Sequence, residues 1–201
     1  MQERMQALKQ HVTKLANDPA FIHHQWFVRW HLQVVEQIAS ELLERYPQAD
    51  RLLVEAMVWM HDYGKILHFE KQHDRELVDA GRDKLVELGF NKAFANKVAD
   101  YIAWMDKRAT VDLHKAPLEV QIVSSADGCS HFASPFHASY YYENPDTPIE
   151  DIIAQKPQRI SLDWDRKITL PEARQVFEPY YHVTMVQNGV FPEKFLDGAS
   201  I

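Results

Sequence analysis

The stretch Ala56–Lys65, which reads AMVWMHDYGK, decides how this chain folds and what it can bind. Its first half is an apolar run typical of a buried helix. It ends in the adjacent pair His61 and Asp62, whose side chains are good ligands for divalent transition metals. Burying both is costly unless something pairs with them, and a metal ion would do so. The alternative is an ordinary helix end, where His61 and Lys65 interact with the helix dipole and Gly64 forms the cap.

Composition bounds the class of protein before any motif is considered. The 201 residues, 46% of them hydrophobic, suit one domain with at most a small appendage. A net charge of -7 disfavours binding to a nucleic-acid polymer, which needs a basic surface. Cys129 is the only cysteine, so no intramolecular disulfide can form, as is usual in a reducing compartment. Because we find neither a signal peptide nor an apolar run approaching ~18 residues, we expect a cytoplasmic protein without a membrane span.

Helical periodicity runs along the chain, and no convincing alternating strand interrupts it. The predicted fold class is therefore all-α. The expected helices cover residues 2–17, 18–46, 50–62, 73–88, 91–105, a segment from 117 past 127, 149–155 and 169–186. Loops are expected at 66–72 and 106–115, and an irregular connection at 135–148. The main start and end signals are Asp18-Pro19, Asp50, Gly89, Asn91, Pro117 and a capping box formed by Thr169 and Glu172.

Three of these helices carry metal-capable side chains on their core-facing stripes. His31 and His61 fall on the apolar faces of their helices, and Asp127 follows a strongly apolar run. Three such inward polar groups are easier to explain as one site than as three accidents. Together with Asp62 they offer two imidazoles and two carboxylates. That set suits Mn, Fe, Co, Ni, Zn or, less well, Mg, with open positions left for water.

The ordered set of a His, an adjacent His-Asp pair thirty residues later and a distant Asp, all on helices, resembles the HD-domain superfamily of metal-dependent phosphohydrolases. The resemblance covers roughly residues 20–135. It implies a compact HD-domain-like helical bundle in residues 21–135, after an N-terminal helix in residues 1–20. Residues 136–201 are expected to form a C-terminal helical extension that packs on the same domain. The implied metal ligands are His31, His61, Asp62 and Asp127.

The implied reaction is hydrolysis of a small phosphorylated substrate, usually a nucleotide, by metal-activated water. Asp62 would then be catalytic as well as a ligand. Lys65 could hold a nonbridging phosphate oxygen as a point charge, in both binding and catalysis; the alternative is a solvated lysine at a helix end. A glycine and lysine after the pair resemble the phosphodiesterase-like members. The nucleoside monophosphate phosphatases of the superfamily typically carry a carboxylate where Lys65 lies.

Two further histidines are candidates for contact with the substrate. His73 opens a predicted helix and could bind a phosphate or a second metal, or be an ordinary surface residue. His131 lies four residues after Asp127 and shares its face, so it could bind substrate or polarise a water, or simply be a satisfied buried histidine. Dinuclear relatives usually have another His where this chain has residues 102–106. A second metal would therefore need Asp106 as a substitute ligand.

Three other interpretations stay open. An HD-fold di-iron oxygenase would need a fuller set of histidines than this chain offers near Trp104. A noncatalytic regulatory module could keep a metal or nucleotide site without turnover. A helical protein whose inward His and Asp side chains merely pair with one another is the third alternative.

Overall fold

The computed structural model describes residues 1–71, 75–107 and 110–195. Within these ranges the chain forms helices and turns but no strand, which confirms the all-α class. None of the described helices is both long and apolar enough to cross a bilayer. The α-helices are α1 (Gln2–Ala16), α2 (Gln33–Arg45), α3 (Arg51–Met60), α4 (Tyr63–Leu67), α5 (Arg75–Glu87), α6 (Lys92–Asp106), α7 (Leu118–Ala133), α8 (Phe136–Glu143), α9 (Ile149–Lys167) and α10 (Pro171–Gln187).

Several helix ends lie where short-range chemistry predicts them. The Asp50 carboxylate accepts a hydrogen bond from the Leu53 N–H at 3.1 Å, and the Asn91 side chain accepts one from the Phe94 N–H at 2.8 Å. Both side chains satisfy a backbone donor that the first helical turn leaves unpaired. Gly89 ends α5 with a φ of 88°, a backbone conformation that favours glycine. These signals are confirmed.

The predicted helix over residues 18–46 is wrong in its first third. Residues 17–26 form turns, and the Asp18 carboxylate caps only a local one, accepting from the Ala20 N–H at 2.9 Å. The turns let Phe21 and Phe27 bury against each other, with ring centroids 5.1 Å apart. A π-helical turn at Val28–Leu32 then leads into α2. Such turns are rare and often lie at functional sites, and this one carries His31.

The C-terminal third is more helical than predicted. The expected irregular connection at 135–148 contains α8, and the short helix at 149–155 is the long helix α9. Pro157 indicates a helix end in the sequence because it removes one backbone hydrogen bond. The helix continues past it, since Ile152 and Ile160 are buried and α9 packs on α7. Core burial therefore outweighs the local cost of the proline.

Smaller segments also differ from prediction. The expected loop at 66–72 contains the end of α4 and a 3-10 turn, Phe69–Lys71, and a second 3-10 turn, Leu113–Lys115, lies within 106–115. The predicted capping box does not form, because α10 starts at Pro171 with Leu170 as its N-cap. Ser125 accepts the Thr169 N–H instead, and Glu172 accepts a hydrogen bond from the Tyr46 hydroxyl.

Helix α7 lies at the centre of the bundle and contacts α2, α3, α6, α8, α9 and α10. Nearly every residue in its second half is buried, as expected for a helix surrounded by others. Gly128 permits one close approach: a Cβ there would lie 2.9 Å from the Lys167 Cβ and 2.7 Å from an Ile168 side-chain carbon. This contact sets the end of α9 beside Asp127. The division into residues 1–20, 21–135 and 136–201 stays a prediction.

Candidate metal centre

The four predicted ligands lie together in the centre of the bundle. His31 Nε2 is 3.2 Å from His61 Nε2, 3.3 Å from Asp62 Oδ2 and 3.8 Å from Asp127 Oδ1. The His61 Nε2 lies 3.6 Å and 3.9 Å from the same two oxygens. Atoms bound to one ion at about 2.1 Å, at tetrahedral or right angles, are about 3.0–3.4 Å apart. The cluster therefore fits one divalent ion after small adjustments.

Hydrogen bonds fix the tautomers of both histidines. The Ser130 hydroxyl donates to the Asp127 carbonyl at 2.7 Å, so its oxygen accepts the His31 Nδ1–H at 3.1 Å. The His61 Nδ1–H donates to the Val58 carbonyl at 2.8 Å. In the neutral rings both Nε2 atoms then present a lone pair to the cluster. Metal-binding histidines are oriented in this way, by a partner on the nitrogen that does not bind the ion.

Charge in the cluster favours the protonation state that a metal needs. Burial lowers the pKa of His31 to about 4, so this ring is neutral at pH 7. Burial opposes ionisation of Asp62, but Lys65 and His61 outweigh it and hold the pKa of this carboxyl well below its usual value. The neutral His31 ring and the ionised Asp62 point at one another, and a divalent cation would balance their electron pairs. Two overlapping groups, His31–His61–Asp62 and His31–Asp127–His131, each have ligand atoms within 4.8 Å of one another and could hold a metal ion.

Lys65 lies at the cluster but is already paired. Its ammonium nitrogen is 2.7 Å from Asp62 Oδ2, across one turn at the junction of α3 and α4. The side chain is about a quarter exposed and lines the cavity above the cluster. Lys65 could therefore hold an ionised carboxylate now and a phosphate oxygen when substrate is bound. The role as a phosphate clamp stays a prediction.

The sequence analysis missed two charged residues of α9. Lys167 Nζ lies 2.9 Å from Asp127 Oδ2, and Asp163 Oδ2 lies 2.9 Å from His131 Nδ1. His131 Nε2 in turn approaches Asp127 Oδ1 at 3.3 Å. Burial opposes ionisation of Asp127, but Lys167 and His131 outweigh it and hold its pKa well below the usual value. Periodicity could have found this pair, because Ile160, Asp163 and Lys167 recur at helical spacing, but the helix was predicted to end at 155.

A cavity of about 530 Å³ opens over the cluster. Its floor includes four of the residues named above, His61, Asp62, Asp127 and His131, and its sides combine aromatic and basic side chains. The His131 ring stacks on Phe136 with centroids 3.6 Å apart, which closes one side. Predicted contact His73 lies outside the described residues. Other residues that line this cavity include Trp26, Lys65, Asp106, Tyr140, Lys156, Arg159, Asp163 and Lys167.

A helical bundle with a buried His–Asp cluster under an open cavity defines a class of helical proteins that could hold a divalent metal. The family model for the HD domain matches residues 30–131, just over half of the chain, and the chain belongs to this family. The predicted resemblance is confirmed. Neither curated proteins nor solved structures give a significant match.

The matched segment runs from the residue before His31 to His131, so it contains all four predicted ligands and ends before α8 and α9. HD domains bind divalent metals and are generally metal-dependent phosphohydrolases, although some are noncatalytic. The family thus accounts for the His–Asp cluster. It does not account for the charged side chains that α9 adds to the cavity.

Proposed function

We propose that this protein is a metal-dependent phosphohydrolase that acts on a small phosphorylated compound and, more narrowly, on a nucleotide. One observation carries the proposal: the Nε2 atoms of two histidines lie 3.2 Å apart, and each is within 3.3–3.9 Å of both carboxylates, beside a cavity lined by His61, Asp62 and Asp127. The hydrogen bonds at both Nδ1 atoms support a metal site, because they turn the two Nε2 atoms towards the carboxylates.

A divalent ion held by His31, His61, Asp62 and Asp127 would polarise the phosphate and lower the pKa of a bound water. In the proposed hydrolysis the water oxygen bonds to phosphorus while the bond to the leaving group breaks. The polar contacts of the Asp62 side chain within the described chain all use Oδ2, which leaves Oδ1 to accept the proton of the water.

Two side chains are proposed to contact the substrate phosphate beside the ligands. Lys65 would turn from Asp62 to a nonbridging oxygen as negative charge builds up there, as in other phosphoryl-transfer sites. His131 would act from the opposite side, with its ring held between Asp163 and Phe136. His73 stays a candidate on sequence alone.

The nucleotide is proposed because aromatic side chains line the same cavity. Trp26, Phe136 and Tyr140 offer ring faces on which a base could stack. The Trp26 indole is held in place, since its N–H donates to Glu143 Oε1 at 2.6 Å and the same oxygen contacts the His23 Nδ1 at 2.8 Å. An oriented indole at the cavity wall suits a flat ring better than a flexible aliphatic group.

The direct test is a substrate screen with nucleotides, cyclic dinucleotides and dinucleoside polyphosphates, each with Mn, Co, Ni and Mg. Asp62→Asn serves as the inactive variant and Asp100→Asn, a change at an exposed site on α6, as its matched control. Hydrolysis that Asp62→Asn abolishes and Asp100→Asn preserves supports the proposal. A protein that binds metal but hydrolyses nothing favours the regulatory module, and two irons per chain with oxygen uptake favour the oxygenase.

A further inference from the structure

Helix α9 presents a row of cations to the cavity above the metal centre. Lys156, Arg159 and Lys167 all line this cavity, and their spacing places them near one face of the helix. Lys167 is neutralised by Asp127 at 2.9 Å and lies 3.6 Å from Asp163. In the described part of the chain, Lys156 and Arg159 form no ion pair.

Lys156 is unusual because it is buried without an anion. The residue is only 4% exposed. Its ammonium donates to the His137 carbonyl at 3.1 Å and lies 4.1 Å from the Tyr140 ring centroid. Burial and the neighbouring Arg159 lower its pKa to about 8, so it is still mostly charged at pH 7. A carbonyl and an aromatic face compensate a buried ammonium only in part, and an anion from outside would complete the site.

The position of Lys156 separates it from the phosphate at the metal centre. Asp163 contacts the cluster through His131, and Lys156 lies seven residues earlier on the same helix. At 1.5 Å per residue this places Lys156 about 10 Å along the axis from Asp163. An anion on Lys156 is therefore a different group from the one that meets the metal ligands.

Space for a longer ligand is present on both sides of the two cations. A second cavity of about 700 Å³ adjoins the first. The two cavities share five lining residues, which are Asp106, Tyr140, Lys156, Arg159 and Asp163. Lys156 and Arg159 thus lie at the boundary, where a ligand anchored at the metal centre would pass from one cavity to the other.

We propose that Lys156 and Arg159 form a second anion subsite, which binds a phosphate of the substrate other than the one held at the His–Asp cluster. This inference rests on the proposed function and narrows its substrate class. A compound with a chain of phosphates, such as a nucleoside triphosphate, places anions at both sites. A nucleoside monophosphate leaves the Lys156 ammonium without a partner.

The test compares a nucleoside triphosphate with the monophosphate of the same base in steady-state hydrolysis. The variants are Lys156→Met, Arg159→Ala and the conservative Lys156→Arg; Arg51→Ala, exposed at the start of α3 and outside both cavities, is the matched control. We expect Lys156→Met and Arg159→Ala to raise KM for the triphosphate roughly tenfold or more, as loss of a charge-assisted hydrogen bond predicts. The KM for the monophosphate and kcat should change little, and Lys156→Arg should restore most of the binding.

A purely structural role for Lys156, holding α8 to α9, would affect both substrates equally. Equal changes in the two KM values, or none, would overturn the inference. Because Arg159 is exposed, its variant should fold even if Lys156→Met does not, and circular dichroism melting checks both.

A second measurement separates this inference from the proposed function. Calorimetry follows binding of inorganic tripolyphosphate to the full chain without added metal, since tripolyphosphate chelates divalent ions. We expect Arg159→Ala and Lys156→Met to weaken this binding roughly tenfold or more, whether or not the wild-type protein hydrolyses any phosphate. If the wild-type protein hydrolyses nothing but the two variants still bind tripolyphosphate more weakly, the result counts against the proposed function and not against the anion subsite. Equal binding of tripolyphosphate by the wild type and both variants would contradict the proposed anion subsite.

Discussion

The two walls of the cavity carry opposite chemistry. One wall, here called the donor wall, is built by the π-helical turn, the junction of α3 and α4, and α7; it presents histidine nitrogens and carboxylates, which attract a cation. The other wall, here called the cationic wall, is built by α9; it presents ammonium and guanidinium groups, which attract an anion. A phosphate bridging a metal ion and basic side chains needs both. The first wall lies within the HD-domain match at residues 30–131 and the second lies outside it. If the proposed function is correct, the family segment would supply the metal ligands and α9 would contribute to the choice of substrate.

The largest effect should follow from damage to the donor wall. Asp62→Ala removes a proposed metal ligand and the proposed proton acceptor and leaves Lys65 without its Asp62 partner. We expect loss of bound metal and a fall in turnover of roughly a thousandfold or more. Metal analysis after dialysis, together with phosphate release, measures both. An Asp62→Ala protein that keeps a full metal complement would show that Asp62 is not a ligand.

Lys65 belongs to the donor wall by position and to the cationic wall by charge. Lys65→Ala should keep the metal, because no ligand is removed, and lower turnover by roughly a hundredfold through the lost stabilisation of phosphate charge. Metal content and kcat, measured on the same preparation, separate the two effects. Wild-type hydrolysis of every substrate by Lys65→Ala would rule out the clamp.

A smaller effect, on metal affinity, is expected when the hydroxyl group that orients His31 is removed. Ser130→Ala removes the acceptor of the His31 Nδ1–H, which lies at 3.1 Å. Loss of such a supporting partner weakens metal binding by roughly tenfold to a hundredfold. Competition with a chelator gives the affinity, and Ser161→Ala, a change in α9 outside both cavities whose hydroxyl contacts the Tyr181 hydroxyl, is the matched control. Equal affinities in both variants would mean that the ring is oriented by packing alone.

The smallest expected signal concerns a second ion. A second metal would need ligands beyond the four, and helix α6 ends in Trp104, Met105 and Asp106, of which only Asp106 is a suitable donor. We predict one tightly held metal per chain at neutral pH, with any further ion brought in by the substrate. Two metals per chain after dialysis against a weak chelator would contradict this and reopen the oxygenase interpretation.

Short-range patterns were sufficient for the donor wall. His31, His61 and Asp127 each share an apolar stripe with core residues, and a side chain on that stripe must point inward whatever the rest of the chain does. The cap signals at Asp50 and Asn91 worked for the same reason, since each depends on residues three positions away. The His–Asp set could therefore be predicted to meet before any distance was known.

The cationic wall could not be predicted in this way. Pro157 locally disfavours a helix, yet α9 continues through it. Asp18-Pro19 locally favours a helix, yet turns follow it. Both outcomes depend on burial: Ile160 on one side and Phe21 on the other gain more from the core than the backbone loses.

The sequence by itself thus determined the all-α class, because helical periodicity acts over a few residues, and its ordered His, His-Asp and Asp residues predicted the HD-domain family and four candidate ligands by resemblance. Only the tertiary structure decided that α9 reaches the cavity. Gly128 leaves room for the Lys167 and Ile168 side chains, Lys167 then pairs with Asp127, and Lys156 is buried without an anion. The contact between Lys167 and Asp127 joins residues 40 positions apart, and no local pattern specifies which long-range partner a charged side chain will find.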